Sequence, residues 1–218
     1  MIDHENNEYK TKQIGSLIWT IENFKAKTTK DGKDLNFAME AKDVKQSYSK
    51  EIPSMCLDCW DYYYRNAKPR NRPKNFKEGE YGYFYNGFIV QNAKELILPE
   101  GWRIPTTADF QDLYESTGKT GFEASAALRT GTSIEIAFKE PLEADNSSGF
   151  SAMSRGYRGE DGIMRDKNKP YFWTSSDKKH LTDDKRFEYI VLPHINEGFQ
   201  STVPSLLGAF MNLRFVKD

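Results

Sequence analysis

The sequence is poor in the residues that most often carry chemistry. Two cysteines and three histidines occur among 218 residues. The histidines, His4, His180 and His194, are scattered and show no ligand spacing with the cysteines. Their placing gives no support to a Ser–His–Asp or Cys–His arrangement. An excess of charge is also missing, since 31 Lys and Arg stand against 32 Asp and Glu, a net charge of −1. No global field draws in nucleic acid or an anionic membrane. Long apolar runs are lacking too. The longest cover a few residues, such as Tyr189 to Pro193, so nothing spans a bilayer as a helix. The opening, Met1-Ile2-Asp3-His4-Glu5-Asn6-Asn7-Glu8, has no basic-then-apolar signal pattern. A cytosolic protein and a mature form whose leader was removed both fit that opening.

The two cysteines, Cys56 and Cys59, are spaced Cys-x-x-Cys. One such pair supplies half of a four-thiolate zinc site. A redox dithiol sits at a helix start after a strand, a pattern not evident around these residues. A local disulfide, a reduced structural pair, a metal half-site and a redox pair are the four readings.

Aromatic residues are abundant, with 14 Phe, 12 Tyr and 4 Trp, and they can fill the core of one substantial domain. The most informative stretch is Gly149-Phe150-Ser151-Ala152-Met153-Ser154-Arg155-Gly156-Tyr157-Arg158-Gly159, followed by Tyr171-Phe172-Trp173-Thr174-Ser175-Ser176. Its glycines mark tight turns or close backbone approaches, and its rings mark a core. This reads as an architectural motif, not a catalytic loop.

Along the chain, residues 1–12 read as a polar N-terminal leader, and 13–218 as a single domain. Ile14 to Phe24 has the content of a first strand, with Leu17, Trp19 and Ile21 alternating onto one face. Phe37 to Val44 is weakly helical. Residues 65–77 hold six basic side chains, two prolines and no acid, and so form a basic insertion without a continuous helix. It is a solvated loop or an anion- or glycan-contacting one. Thr106 to Ser116 is the clearest helix, capped by Thr106 or Thr107, striped by Phe110, Leu113 and Tyr114 and stopped by Gly118. Residues 122–129 suggest a second short helix. Ser133–Phe138, Phe187–Leu192 and Ala209–Val216 read as strands. Gly118-Lys119-Thr120 is not a phosphate loop, because Leu113 stands where its first glycine belongs.

Several landmarks occur in one order: Ile14-Gly15, Trp19 and Glu22-Asn23-Phe24, then Gly82-Tyr83-Phe84-Tyr85-Asn86, then Pro99-Glu100-Gly101-Trp102-Arg103-Ile104-Pro105-Thr106. Asp109-Phe110, Gly149-Phe150-Ser151-Ala152, Gly156-Tyr157-Arg158, Tyr171 to Ser176 and Leu213-Arg214-Phe215-Val216-Lys217-Asp218 follow. The set resembles the Fibrobacter succinogenes major paralogous domain family, from about Ile14 to Asp218. The resemblance implies an α+β, C-type-lectin-like fold with a small antiparallel sheet core, one or two helices, long loops and termini close together. It also implies kinship with formylglycine-generating, sulfatase-modifying enzymes and with retroelement variable proteins, and an exported or cell-surface bacterial protein. Two departures stand out: the insertion at 65–77, and Ala209-Phe210-Met211-Asn212 in place of Gly-Phe-Ser-Val.

The sulfatase-modifying enzymes hold copper on a cysteine pair near the C-terminal strands, and no cysteine follows Cys59 here. Calcium-dependent lectins use Glu-Pro-Asn or Gln-Pro-Asp and then Trp-Asn-Asp. Glu140-Pro141-Leu142 and Trp173-Thr174-Ser175 do not offer those oxygens. Glu160, Asp161 and Asp166 are the candidates for a structural calcium; no other cofactor is implied. The expectation is a non-enzymatic binding module for a protein or glycan, with no nucleic-acid partner and no membrane insertion. In this fold the C-terminal loops form the exposed face, so the candidate ligand-binding residues are Arg186, Phe187, Tyr189, His194, Asn196, Phe199 and Gln200. Phe187 and Tyr189 equally suit an inward, core-facing alternation. An enzyme of the sulfatase-modifying type or another kind, and a structural subunit of a surface or phage-like assembly, are the alternatives.

Overall fold

A computed structural model describes residues 1–131, 142–179, 185–192 and 203–218, with the backbone course alone at 177–179, 185–186 and 203–206. The expected strand Ser133–Phe138 lies outside the described residues. Two strands, β1 (Thr11–Ile14) and β2 (Leu17–Thr20), make a hairpin that turns at Gly15, where φ is +62°. Next come β3 (Asn36–Phe37), α1 (Ala41–Ser49), β4 (Ser54–Cys56), α2 (Cys59–Asn66), a 3₁₀ turn (Pro69–Asn71) and β5 (Phe84–Asn86). Four helices follow: α3 (Gly87–Gln91), α4 (Ala93–Leu96), α5 (Thr107–Glu115) and α6 (Gly121–Leu128). The remaining strands are β6 (Tyr157–Arg158), β7 (Met164–Arg165), β8 (Tyr171–Lys179), β9 (Lys185–Val191), β10 (Val203–Leu206), β11 (Phe210–Met211) and β12 (Val216–Lys217).

This is an α+β fold. Among the described residues there are three sheets, ordered β1-β2-β12, β10-β9-β8 and β3-β4-β5-β11-β6-β7. The last strand pairs with the second, Val216 opposite Trp19, so the two ends of the domain share one sheet. Trp19 is fully buried, edge-on to Phe110 at 5.1 Å and to Phe150 at 5.3 Å. Such edge-to-face pairs add to the burial of ring area. Phe172 from β8 completes this cluster against Phe110 and Phe150. Trp173, next along β8, points the other way into a second cluster and donates from Nε1 to the Tyr85 carbonyl at 2.7 Å.

Arg214 fastens these parts together. Its guanidinium donates to Asn23 Oδ1 (2.7 Å) and to the carbonyls of Thr20 (3.0 Å), Phe150 (3.0 Å) and Ser151 (3.2 Å). It lies 4.9 Å from the Phe150 ring centroid and 5.5 Å from that of Phe172. Burial lowers its pKa. The glycine-punctuated motif is architectural, as its pattern predicts. Gly156 has φ +75°, and a Cβ there would lie 2.7 Å from Cys59 Sγ.

Helix α5 begins at the expected cap: Thr106 Oγ1 accepts from the Asp109 N–H while Asp109 receives the Thr106 N–H, and Phe110, Leu113 and Tyr114 are buried. Other expectations need correction. The described residues contain six α-helices where one or two were expected. The extra ones are short, and Phe88, Ile89 and Val90 in α3 are all buried, which removes the amphipathic period that signals a helix. The weak helix at Phe37–Val44 is displaced to Ala41–Ser49, where Glu40 and Asp43 form a capping box. The first strand is shorter than Ile14–Phe24, because Gly15 bends the chain into a hairpin. Ala209–Val216 is not one strand either: Asn212 leaves the alternation to bond Tyr171 O and Asn23, and Arg214 turns into its clamp. The polar leader is packed down. Tyr9 is buried, its hydroxyl donates to Asp3 Oδ2 at 2.7 Å, and the Met1 amino group donates to the Tyr9 carbonyl.

Candidate binding site

The Cys-x-x-Cys stretch turns out to straddle a strand-to-helix step. Cys56 ends β4, Asp58 caps α2 by accepting from the Trp60 and Asp61 N–H groups at 2.8 Å, and Cys59 is the first helical residue. That position suits a redox dithiol, contrary to the sequence expectation, but the surroundings do not. Both thiols are free and buried, and burial pushes each up to about 12, with Asp58 adding to the rise. A thiol so placed keeps its proton at neutral pH and offers no thiolate.

Capping at Asp58 fixes the helix phase, which leaves Tyr63 exposed and Trp60 and Tyr64 half-buried at the surface. Trp60 stacks on Tyr64 at 5.9 Å, Tyr63 meets Tyr64 edge-on at 5.5 Å, and Phe76 from the basic insertion closes on Tyr64 at 5.7 Å. Beside these rings lies an open cavity of about 390 Å³, between α2 and the β6–β7 hairpin. Its lining includes Cys59, Tyr62, Tyr63, Asn66, Met164 and Lys167. That volume falls in the roughly 300–1,000 Å³ range of small-molecule sites. Lys167 Nζ stands 5.0 Å from the Tyr63 ring centroid and 5.7 Å from that of Trp60, within cation–π range.

The basic insertion supplies one wall of this cavity through Ala67 and Asn71. Arg72 holds it in shape, donating from Nε to the Tyr64 carbonyl (2.9 Å) and from Nη2 to the Arg65 carbonyl (2.8 Å). The Arg65–Glu78 ion pair at 3.1 Å spans its base.

Residues 13–217 match the family model of the Fibrobacter succinogenes major domain. The chain belongs to that family. No curated protein sequence and no solved structure matches it. In this Fibrobacter succinogenes major domain the ordered landmarks are largely core: Trp19, Phe110, Phe150, Phe172, Trp173 and Arg214 are all buried.

A buried ionic cluster underlies the domain's cavity. Arg155 Nη1 lies 3.3 Å from Asp58 Oδ2 and 3.8 Å from Asp61 Oδ1, and its guanidinium covers the Tyr81 ring at 4.1 Å. The Arg155–Asp58 contact is an ion pair and not an aligned hydrogen bond, since Asp58 Oδ2 has no hydrogen-bond partner. Burial, then the Asp58 charge, pushes the Asp61 carboxyl up to about 7; burial raises Asp58 as well. One arginine balances one of the two acids, so the pair holds a proton more readily than either acid alone. Next to it, Arg129 donates from Nη2 to Ser154 Oγ (2.5 Å) and the Asn168 carbonyl (2.7 Å).

Of the sequence-predicted ligand residues, the three that are described, Arg186, Phe187 and Tyr189, do not line this cavity. Phe187 and Tyr189 lie on β9, half-buried and packed on the core, with Tyr189 5.8 Å from Tyr171. Arg186 stands on β9 opposite Lys178 and Leu206. His194, Asn196, Phe199 and Gln200 lie outside the described residues. Of the candidate calcium ligands, Asp161 is paired with Arg165 at 2.5 Å and Asp166 accepts from the Tyr171 hydroxyl at 2.5 Å. Among the described residues no three acids, histidines or cysteines gather as a metal site.

The cavity residues Tyr62, Tyr63 and Lys167 escaped sequence reading. The signal for the rings was present: Trp60, Tyr63 and Tyr64 are spaced i, i+3, i+4 behind an N-capping Asp58. For Lys167 no sequence signal exists, because only the β6–β7 hairpin brings it to α2.

Proposed function

We propose that this domain is a non-enzymatic binding module that recognises a glycan in the cavity between α2 and the β6–β7 hairpin. The carrying observation is the exposed face of Tyr63 on that cavity beside the Asn66 side chain, with an ammonium group at the ring. A pyranose presents a C–H face that suits the negative face of an aromatic ring, and hydroxyls that suit amides. The Asn66 side-chain nitrogen is engaged by the Tyr62 carbonyl, which turns its oxygen free to accept.

The cavity takes precedence over the C-terminal loops because Phe187 and Tyr189 lend their rings to the core. A C-type-lectin-like relationship fits the shared sheet of β1, β2 and β12 and the long irregular chain between short strands. An exported or cell-surface setting fits a glycan ligand.

The test is a glycan array probed with the full chain and with Tyr63→Ala. Binding by the wild type that the variant loses, with thermal stability unchanged, is the expected outcome. Glycan binding that Tyr63→Ala leaves intact would move the site away from α2. An array with no positive glycan would sink the carbohydrate reading.

A further inference from the structure

Resting on that reading, we infer that the cavity selects an anionic carbohydrate, one whose sugar units carry a carboxylate or a sulfate ester. The charge around the cavity is one-sided. Among the described residues Lys167 is the one Lys, Arg, Asp or Glu in its lining, and its Nζ meets two ring faces and no carboxylate. The wall carrying Ala67 and Asn71 belongs to residues 65–77, which have six basic side chains and no acid.

Neighbouring acids are each already engaged. Glu78 pairs with Arg65, Asp161 with Arg165, and Asp166 receives the Tyr171 hydroxyl. Asp58 and Asp61 lie buried beneath the helix with Arg155. The charged group that the lining offers a ligand is therefore a cation, even though the whole chain carries a charge of −1. An anionic group met here gains a charge-assisted contact from Lys167 without displacing an internal partner. The rings beside it set the spacing, since the sugar face must lie on Tyr63 while its substituent reaches the ammonium.

Neutral sugars would use the rings and amides but leave Lys167 unanswered. A single-stranded nucleic acid would also combine stacking with negative charge. The sugar is favoured because the amides of Asn66 and Asn71 stand in the cavity wall and suit hydroxyls, and the lining offers a single cation where a strand needs a row of them.

Calorimetric titration of the full chain tests the inference with four probes: an oligogalacturonate, a sulfated galactan oligosaccharide, a neutral galactan oligosaccharide of matched length, and oligo-dT. The expected result is that one anionic sugar binds at least about ten-fold more tightly than the neutral one. Which of the two does so distinguishes carboxylate from sulfate. Lys167→Met, which keeps an unbranched stem over the rings, is expected to collapse that ratio, while Lys42→Met on exposed α1 leaves it unchanged. The preference should also weaken as salt rises from about 0.05 to about 0.5 M. Equal binding of neutral and anionic sugars, or a ratio that survives Lys167→Met, overturns the anionic selectivity and leaves the glycan reading standing. Tighter binding of oligo-dT than of any sugar overturns both, as does binding of none of the four.

Discussion

The Asp61 carboxyl accepts a 2.6 Å hydrogen bond from the Gly79 backbone N–H, which ties the returning end of the basic insertion to the first turn of α2. The insertion leaves from the far end of that helix, and the Arg65–Glu78 pair bridges the same gap at the surface. Asp61 thus anchors a cavity wall from below. It does so in the company of Asp58, Arg155 and Glu78, the charged groups that face it.

This anchor makes stability depend on pH. In the unfolded chain Asp61 ionises near about 3.9, whereas in the folded chain its carboxyl titrates at about 7. The folded state therefore holds a proton that the unfolded state has lost, and stability from this group falls as pH rises through that window. Asp61→Asn keeps an acceptor for Gly79 N–H and removes the titration. Thermal melts are expected to show the variant gaining on the wild type from pH 4 to pH 8, by roughly 1–3 kcal/mol at the upper end. Parallel pH profiles for the two proteins would refute this.

Arg214 is the most heavily committed cation of the core, with four hydrogen bonds of 2.7–3.2 Å. Truncation to Ala strands three carbonyls and one amide oxygen in the interior and opens a void between Phe150 and Phe172. The expected cost is roughly 3–5 kcal/mol. Arg214→Lys restores the charge but not the fork, so it should recover only part of that loss. Denaturant unfolding of both variants measures it, and a Lys variant as stable as the wild type would contradict the clamp.

Cys56 and Cys59 are expected to resist alkylation in the native protein at pH 7, because both are buried and both titrate at about 12. Labelling with iodoacetamide should track the unfolded fraction as urea is added. Rapid native labelling of Cys59 would show that it opens to the cavity that it lines, and rapid labelling of Cys56 would contradict its burial.

Part of the fold was legible from sequence because its signals are local. Thr106 and Asp109 announce α5 within four residues, and the same holds for the alternation in β9. The order of landmarks identifies the family because those residues form one core. Helix α2 was hidden for a different reason. Tyr63 faces solvent and Trp60, Tyr62 and Tyr64 are half-buried, so the expected correlation of aromatic with interior fails, and its cap, Asp58, sits between two cysteines that invite a covalent reading. The break in Ala209–Val216 was beyond reach, since Asn212 and Arg214 answer partners 41 to 194 residues away. Lys167 belongs to the same class: proximity made by a hairpin leaves no trace in spacing.

The pairing of β12 with β2 has a consequence for the order in which the molecule can assemble. Strand Val216–Lys217 fills a place beside Leu17–Thr20, and Arg214 reaches Asn23 across 191 positions of chain. Within the domain that seam is the last to be emitted by a ribosome. Until then the Trp19 layer lacks its neighbour and the Thr20, Phe150 and Ser151 carbonyls lack their donor, so the β1–β2 hairpin waits, half-covered, for the rest of the domain. Such distant closure favours slow, late folding, and it leaves the rings of the Trp19 layer uncovered until β12 is in place.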